Sequence, residues 1–132
     1  MRRSCITVHP APPFLRCTMP DCLFCKLIAG DIPSVAVYSD DTTYAFRDLN
    51  PQASVHVLVV PRRHIARISD ASPEDEAMLG HLLFVAAAIA RQEGVSDAGY
   101  RLIINCGANG QQAVDHLHIH IIGGRMMTWP PG

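Results

Sequence analysis

Near its carboxyl end the chain reads Asp115-His116-Leu117-His118-Ile119-His120-Ile121-Ile122, in which histidine alternates with an apolar residue. Successive side chains of a β-strand point to opposite faces of the sheet. The stretch therefore predicts a strand over residues 116–122, with three imidazoles on one face and apolar side chains on the other. We expect the apolar face to lie against the core and the imidazole face to carry the chemistry.

Turn and capping signals elsewhere in the chain predict the remaining elements. Residues 22–30 indicate a short helix, which Asp21 would cap and Gly30 would end. Ser72 followed by Pro73 indicates the start of a long helix that runs to about residue 93. Apolar patterns predict four more strands, at residues 35–38, 42–47, 56–60 and 100–105. Five strands with two inserted helices make an antiparallel α+β domain.

Length and composition limit the class of protein. The chain has 132 residues, of which 48% are hydrophobic and 17% charged, so it can form one globular domain with its own core. The net charge of −1 gives no basic surface of the kind that binds nucleic acid. No apolar run approaches the roughly 20 residues of a membrane span. The five cysteines do not have the spacing of a secreted disulfide framework, and no signal peptide is recognised, so we expect a cytoplasmic protein.

The first residues differ from the rest of the chain. Residues 1–18 contain three prolines and show no periodicity, so they are predicted to be a disordered extension. The folded domain is expected to span residues 19–132. Met19 stands just before the patterned segment, and we hypothesise that it is the true start, which the intact mass of the natively expressed protein would test.

Three histidines on one face have two functional interpretations. One is a metal site, because imidazole is a common metal ligand. His116 and His120 lie too far apart on a strand to bind one ion together with His118. The other is nucleophilic or acid–base chemistry, in which one imidazole reacts and its neighbours fix its tautomer, and a straight strand favours it. The preceding loop, residues 107–112, is rich in glycine and amides and can cradle a phosphate.

Several motifs, in order along the chain, resemble the histidine-triad (HIT) superfamily. Residues 116–122 match its signature of three histidines separated by apolar residues. The other matches are the opening segment 22–33, Phe46-Arg47-Asp48-Leu49-Asn50-Pro51, the segment 56–64, and Gly123-Gly124-Arg125. The tail Trp129-Pro130-Pro131-Gly132 is similar to that of the Hint branch, the histidine-triad nucleotide-binding proteins. The resemblance covers about residues 21–132 and implies a HIT-like fold, with a five-stranded antiparallel sheet and two helices, and a homodimer.

The resemblance also implies an activity. Family members bind purine nucleotides of the AMP or GMP type and cleave bonds at the α-phosphorus, here the P–N bond of a nucleoside 5′-phosphoramidate. His118 matches the nucleophile, which forms a nucleotidyl-histidine intermediate that water hydrolyses. His120 would contact the phosphate, and His56 would join the chain that orients the catalytic imidazole. No organic cofactor is implied.

The nucleotide-binding positions follow from the same motifs. Asp48 would accept hydrogen bonds from the ribose hydroxyls, and Asn105 would help to hold the phosphate. The base pocket would be lined by Phe24, Leu27, Ile32, Phe46 and Leu49, each of which is about as well explained as ordinary core. The loop positions implied are Gln111, Gln112, Ala113 and Val114, together with His118 and His120.

The loop departs from the family pattern at two positions. The branch usually has Gly-Gly-Gln-Ser/Thr-Val where this chain has Gly110-Gln111-Gln112-Ala113-Val114. Gln111 replaces a glycine at a tight turn, and Ala113 replaces a hydroxyl that resembles a proton donor to the leaving group. We therefore expect slower turnover or a different leaving-group preference.

Cys22 and Cys25 form a Cys-x-x-Cys pair that by itself is also compatible with two half-buried thiols on a helix. Some bacterial HIT proteins with this pair carry zinc, and their other two ligands correspond to His64 and His116. All four positions are occupied here, so the resemblance implies a structural zinc ion bound by two cysteines and two histidines. Zinc would remove His116 from the acid–base groups.

Four functions are compatible with the sequence. The leading one is a nucleoside phosphoramidase, and a dinucleoside polyphosphate hydrolase is the rival within the same class, which the Trp129 tail disfavours. A nucleotide-binding regulatory protein with little turnover is supported by Gln111 and Ala113. The last is a zinc-stabilised interaction module without a nucleotide.

Overall fold

A computed structural model describes Met19 and residues 21–132. The predicted disorder of residues 1–18 lies outside the described residues. The helices are α1 (Leu23–Ala29) and α2 (Glu76–Gln92), and the strands are β1 (Ala36–Ser39), β2 (Thr43–Arg47), β3 (Val55–Pro61), β4 (Tyr100–Ile103) and β5 (Ile119–Gly123). Two single turns of 3₁₀-helix, Ile68–Asp70 and Pro73–Asp75, precede α2.

The strands form one antiparallel sheet in the order β1-β2-β3-β5-β4. The predicted α+β architecture, with five antiparallel strands and two helices, is therefore confirmed. β3 and β5 are central neighbours, with Val57 opposite Ile121 and Leu58 opposite His120. β4 is at one edge of the sheet. No helix in the described part of the chain is long and apolar enough to cross a bilayer.

The central strand β3 is buried on both faces, as its continuous apolar sequence predicts, because each face packs on a different helix. Val57 and Val59 belong to the larger core with Leu82 and Ile89 of α2. Leu58 and Val60 belong to a second cluster on the other face, which includes Phe24 and Leu27 of α1. The sheet thus separates the two helices, and the face toward α1 is where the site forms.

The histidine stretch is strand only in its second half. β5 begins at Ile119, so the predicted start at His116 is wrong. The reason is that the Leu117 N–H donates to the carbonyl of Ile65, 2.7 Å away, outside the sheet. The alternation nevertheless holds, since Leu117, Ile119 and Ile121 all belong to the α2 core.

The helix ends agree with the sequence except at two points. The cap of α1 is Cys22, whose Sγ accepts from the Cys25 N–H, and not Asp21. Gly30 ends α1 at φ +85°, as predicted. The predicted long helix starts as the 3₁₀ turn Pro73–Asp75, because the Ser72 N–H binds the Asp75 carboxylate and tightens the first turn.

Candidate active site and metal centre

The His118 ring is held in one tautomer by the backbone. Its Nδ1 lies 2.7 Å from the carbonyl oxygen of His116. A carbonyl only accepts, so Nδ1 carries the proton and donates it. The lone pair of a neutral His118 is therefore on Nε2, the arrangement that a nucleophilic imidazole needs. The ring is 4% exposed and meets the edge of Phe24 at a centroid distance of 5.0 Å.

His56 and His120 form a hydrogen-bonded relay between β3 and β5. The Gln52 N–H donates to His56 Nδ1 at 3.0 Å, so in neutral His56 the proton is on Nε2. That N–H donates to His120 Nδ1 at 2.9 Å. His120 is consequently protonated on Nε2 and presents a donor. Its ring lies 4.9 Å from the ring of His118, centroid to centroid, which brings together the three histidines predicted to be catalytic.

Burial keeps these imidazoles neutral. It lowers the pKa of His56 and of His118, with the Asp48 carboxylate opposing the shift in both. Burial first, and then the neighbouring His118 and His56, lower the pKa of His120 to about 4. A neutral His118 at physiological pH retains the Nε2 lone pair.

Asp48, His56 and His120 also have the spacing of a metal site, since their ligand atoms lie within 4.8 Å of one another. The Asp48 carboxylate is 3.4 Å from His56 Nε2. A metal ligand must offer a lone pair, and His56 Nε2 carries a proton because Nδ1 accepts from Gln52. The chemistry of the donors therefore supports a hydrogen-bond relay at this cluster.

The loop before the histidines is shaped by the Gln112 side chain. Its Oε1 accepts from the Gly107 N–H at 3.0 Å, and its Nε2 donates to the carbonyls of Ala66 at 2.7 Å and Val114 at 3.0 Å. Gln112 is predicted to contact the nucleotide, but its Nε2 donors are already bonded to backbone carbonyls. Gly110 is required for a steric reason, because a Cβ there would lie 2.7 Å from the carbonyl oxygen of Cys106.

Only part of this loop offers backbone donors. The Gln111 N–H donates to Ala108 and the Gln112 N–H to Gly107, so neither is available to a ligand. The N–H groups of Ala113 and Val114 have no hydrogen-bond acceptor within residues 21–132. Gln111 has φ +61°, a left-handed conformation that favours glycine, which explains the glycine that the family pattern has at this position.

The predicted base-pocket residues do not all lie together. Phe24, Leu27 and Phe46 are buried in the α1 cluster, and Ile32 packs partly buried against it. Leu49 is 88% exposed, beside the half-buried Asp48. Asn105 is partly buried beyond the end of β4, which stops at Ile103 and not at the predicted residue 105.

A second cluster is formed by four side chains, Cys22, Cys25, His64 and His116. Phe24 contacts the rings of both His116 and His118, at centroid distances of 5.9 and 5.0 Å. Zn–S and Zn–N bonds of about 2.3 and 2.0–2.1 Å imply ligand–ligand distances of roughly 3.3–3.8 Å in a tetrahedron. The observed distances are 3.4 Å for Cys22 Sγ to His116 Nδ1, 3.4 Å for Cys25 Sγ to His64 Nδ1, 3.6 Å for Cys25 Sγ to His116 Nδ1 and 3.2 Å between the two Nδ1 atoms. The donors fit the ion in type, number and spacing.

The backbone also prepares His116 for a metal. Its Nε2 lies 2.8 Å from the carbonyl of Pro61, so Nε2 carries the proton and Nδ1 offers its lone pair to the cluster. The ring is fully buried, and burial lowers its pKa to about 4. The cluster is a structural zinc site, and His116 offers its Nδ1 lone pair to that site.

Sequence reasoning missed the groups that set the tautomers. They are the Gln52 amide and the carbonyls of Pro61 and His116. Every residue except proline carries an N–H and each carries a carbonyl, so no side-chain pattern marks the ones used.

Comparisons with known proteins agree with this geometry. A sequence model of the HIT domain matches residues 29–127. An uncharacterized HIT-like protein of Synechococcus elongatus is 53% identical over 112 residues, which cover 85% of this chain and 97% of that protein. A 14 kDa zinc-binding protein of Zea mays is 46% identical over 112 residues, covering 83% of this chain and 87% of that one.

A solved structure extends the likeness to three dimensions. A HIT family hydrolase from Legionella pneumophila Philadelphia 1 superposes with a TM-score of 0.83 at 47% identity, covering 85% of this chain and 100% of that one. Sequence and fold therefore agree over the same part of the molecule. The chain belongs to the HIT domain family.

Proposed function

We propose that the protein hydrolyses purine nucleoside 5′-phosphoramidates through a nucleotidyl intermediate on His118, as in the Hint branch. The observation that carries the proposal is the hydrogen bond from His118 Nδ1 to the His116 carbonyl, which leaves the Nε2 lone pair available in a neutral ring. The relatedness to a protein described as a HIT family hydrolase supports the same conclusion.

The proposed reaction has two displacements at phosphorus. In the first, His118 Nε2 attacks, the P–Nε2 bond forms and the P–N bond breaks, its electron pair going to the leaving nitrogen. That nitrogen takes a proton from solvent, because Ala113 has no hydroxyl to supply one. In the second, water attacks phosphorus and loses a proton to solvent. The P–Nε2 bond breaks, which frees the nucleoside monophosphate and restores His118.

Negative charge that develops on the phosphoryl oxygens needs donors already in place. The N–H groups of Ala113 and Val114 are two candidates, and His120 Nε2–H is a third. The relay from Gln52 through His56 keeps the proton of His120 on Nε2. In this proposal His56 positions His120 and does not touch the phosphate.

The nucleotide would lie along the α1 face of the sheet. We infer that the Asp48 carboxylate accepts from the ribose hydroxyls, with Asn105 near the phosphate. The purine would meet Phe24, Leu27, Ile32 and Phe46, with Leu49 at the exposed rim. An apolar pocket of this kind recognises shape, which fits adenine and guanine alike.

AMP release from adenosine 5′-phosphoramidate tests the proposal. Wild type should release AMP, and His118→Asn should reduce release to the uncatalysed rate. His81→Asn is the matched control, because His81 lies on α2 away from the site and should leave turnover unchanged. Release by His118→Asn at the wild-type rate would exclude the intermediate, and no release by wild type would exclude the activity.

A nucleotide-binding regulator with little turnover is the second candidate, and the missing hydroxyl at Ala113 favours it. AMP or GMP would then raise the melting temperature without consumption of any phosphoramidate. A dinucleoside polyphosphate hydrolase would release AMP from a dinucleoside polyphosphate at a higher rate than from adenosine 5′-phosphoramidate. If no nucleotide shifts the melting temperature, the zinc-stabilised interaction module is the remaining function.

We also infer a homodimer. Leu83 and Phe84 of α2 are 47% and 70% exposed, which gives the helix an apolar outer face. The edge strand β4 carries only half-buried residues, and among the described residues it pairs with β5 alone. A second copy that covers both would bury this surface. Thiolate zinc ligands favour a reducing compartment, so we propose a cytoplasmic location.

A further inference from the structure

The zinc cluster and the loop before the histidine stretch are joined by a short segment, residues 64–66. The Nδ1 of His64 lies in the cluster, 3.4 Å from Cys25 Sγ. Two residues later, the carbonyl oxygen of Ala66 accepts from Gln112 Nε2 at 2.7 Å. Consecutive Cα atoms are about 3.8 Å apart, so a shift of His64 displaces Ala66 as well. The position of the metal ligand and the position of the loop are therefore linked.

A second link runs through the carbonyl oxygen of Val114. This oxygen accepts from Gln112 Nε2 at 3.0 Å and from the N–H of His116, another zinc ligand, at 2.8 Å. Ala66 follows His64 by two residues, and Val114 precedes His116 by two residues. The side chain of Gln112 is thus bonded to the backbone next to both histidine ligands.

The same side chain also closes the loop. Gln112 Oε1 accepts from the Gly107 N–H at 3.0 Å. Both N–H donors of the amide are used by carbonyls, so a nucleotide contact from Nε2 would have to break one of these bonds. The N–H groups of Ala113 and Val114, which are proposed to bind the phosphoryl oxygens, follow directly in the chain. Their position therefore depends on how Gln112 is held.

We propose that Gln112 is a positioning residue that links the zinc site to the phosphate-binding N–H groups, so that zinc and nucleotide bind with positive cooperativity. The inference rests on the proposed function and adds to it how the loop is held in place. Zinc restrains His64 and His116, and Gln112 restrains the loop relative to them. A loop that is already ordered loses less conformational entropy when it binds a phosphate. Because linkage is reciprocal, AMP must tighten zinc binding by the same factor.

The affinity for zinc with and without AMP tests this link. Competition with a chromophoric chelator gives the Kd of zinc, at saturating AMP and without nucleotide. Wild type should bind zinc at least about fivefold more tightly with AMP, the lower end of typical coupling between sites. Gln112→Met keeps the length of the side chain and removes its hydrogen bonds, so AMP should change its Kd for zinc by less than about twofold. Comparing the two proteins cancels any binding of zinc by AMP itself.

The matched control is Asn109→Leu, the corresponding change of an exposed amide in the same loop that makes no side-chain hydrogen bond within residues 21–132. It should keep the wild-type ratio of the two Kd values. A variant that is only less stable would bind zinc more weakly in both conditions, which also keeps the ratio. If wild type binds AMP with no change in its Kd for zinc, or if Gln112→Met keeps the wild-type ratio, the inference is overturned and the proposed function still stands.

Amide hydrogen exchange gives a second readout that needs no nucleotide. Removal of zinc from wild type should speed exchange of the Gly107 N–H by at least about fivefold, whereas the N–H of Val57, buried in the central strand β3, should stay protected. In Gln112→Met the Gly107 N–H should exchange rapidly with or without zinc. If wild type does not bind AMP, the proposed function fails, but zinc-dependent protection of Gly107 would still support the link through Gln112. Exchange at Gly107 that does not depend on zinc, or an equal loss of protection at Val57, would overturn it.

Discussion

At the scale of single residues, the position of one proton on each imidazole separates the roles of the histidines. His118 and His116 both donate to backbone carbonyls, but through different nitrogens, Nδ1 in one and Nε2 in the other. The first ring therefore offers Nε2 and the second offers Nδ1. Two residues apart, the same side chain becomes a candidate nucleophile in one case and a metal ligand in the other.

Gln111→Gly should raise the free energy of unfolding by about 0.5–1 kcal/mol. The left-handed conformation at φ +61° costs a non-glycine residue about 1–2 kcal/mol, and glycine removes this cost. Glycine also increases the conformational entropy of the unfolded chain, which lowers the free energy of unfolding by about 0.4–1 kcal/mol. Urea unfolding measures the change. The control is Ala108→Gly in the same loop, where φ is not positive and glycine should destabilise by about 0.4–1 kcal/mol. Equal effects of the two substitutions would contradict the argument.

Ala113→Ser should increase kcat on adenosine phosphoramidate by at least about tenfold, since a positioned proton donor commonly contributes a factor of about 10² or more. Ala113 is exposed in the loop, so a hydroxyl fits without a change in packing. Single-turnover measurement of AMP release checks the result. Unchanged turnover would mean that the missing hydroxyl is not what limits the reaction.

At the scale of elements, α1 depends on its surroundings. A helix of seven residues is too short to be stable alone in water. Its apolar residues pack on β2 and β3, and Cys22 and Cys25 at its start are zinc ligands. Zinc therefore fixes the start of α1 to the strand-end segments that carry His64 and His116, and it places Phe24 against His118.

Wild type purified without chelator should contain about one zinc ion per chain. Cys22→Ala should lower zinc content to near zero and the melting temperature by at least about 5 °C, since 1 kcal/mol corresponds to roughly 2–8 °C for domains near this size. Cys106→Ala, which removes a thiol outside the cluster, is the control and should keep zinc. Less than about half an equivalent of zinc in wild type would count against the site.

Because His120 on β5 has a lowered pKa beside His56 of β3, the free energy of unfolding should depend on pH. The pKa of His120 is about 4 in the folded protein and 6.5 ordinarily, so between these values the unfolded chain binds the extra proton. The free energy of unfolding must therefore fall as pH decreases from 6.5 toward about 4. Urea unfolding of wild type and of His120→Gln at about pH 7.5 and about pH 5 measures this, and the variant should lose less stability. Protonation of the zinc ligands lowers the free energy of unfolding of both proteins alike. Equal losses of that free energy in wild type and His120→Gln would show that His120 does not contribute.

At the scale of the whole molecule, the sheet order brings distant segments together. The pairing of β3 with β5 places His56 beside His120, which is 64 residues away in sequence. The same sheet leaves β4 at an edge, and Leu83 and Phe84 of α2 are exposed. These two features lie on different parts of the molecule, so assembly and chemistry can be tested separately.

Phe84→Glu should convert the inferred dimer to a monomer in sedimentation equilibrium, because a charge would be buried in an apolar interface. Val35→Glu is the control, since Val35 is 57% exposed at the other edge of the sheet and should leave the assembly unchanged. A monomeric wild type, or a dimer that tolerates Phe84→Glu, would exclude this interface.

The sequence alone is enough to predict the order of the elements, the α+β class and the alternation of the histidine stretch, and its resemblance to the HIT family implies the zinc ligand set. Those properties follow from periodicity, caps and motif spacing, which are local or shared within the family. The three-dimensional fold is needed to show that β5 begins at Ile119, that Leu49 is exposed and that two loop N–H groups, of Gln111 and Gln112, are already bonded. It also decided the tautomers of the histidines. The start of β5 and the tautomer of His116 depend on carbonyls far away in the chain, whereas the other backbone partners lie within five residues in sequence. Backbone groups are the same in every residue, so no pattern of side chains encodes which of them meet.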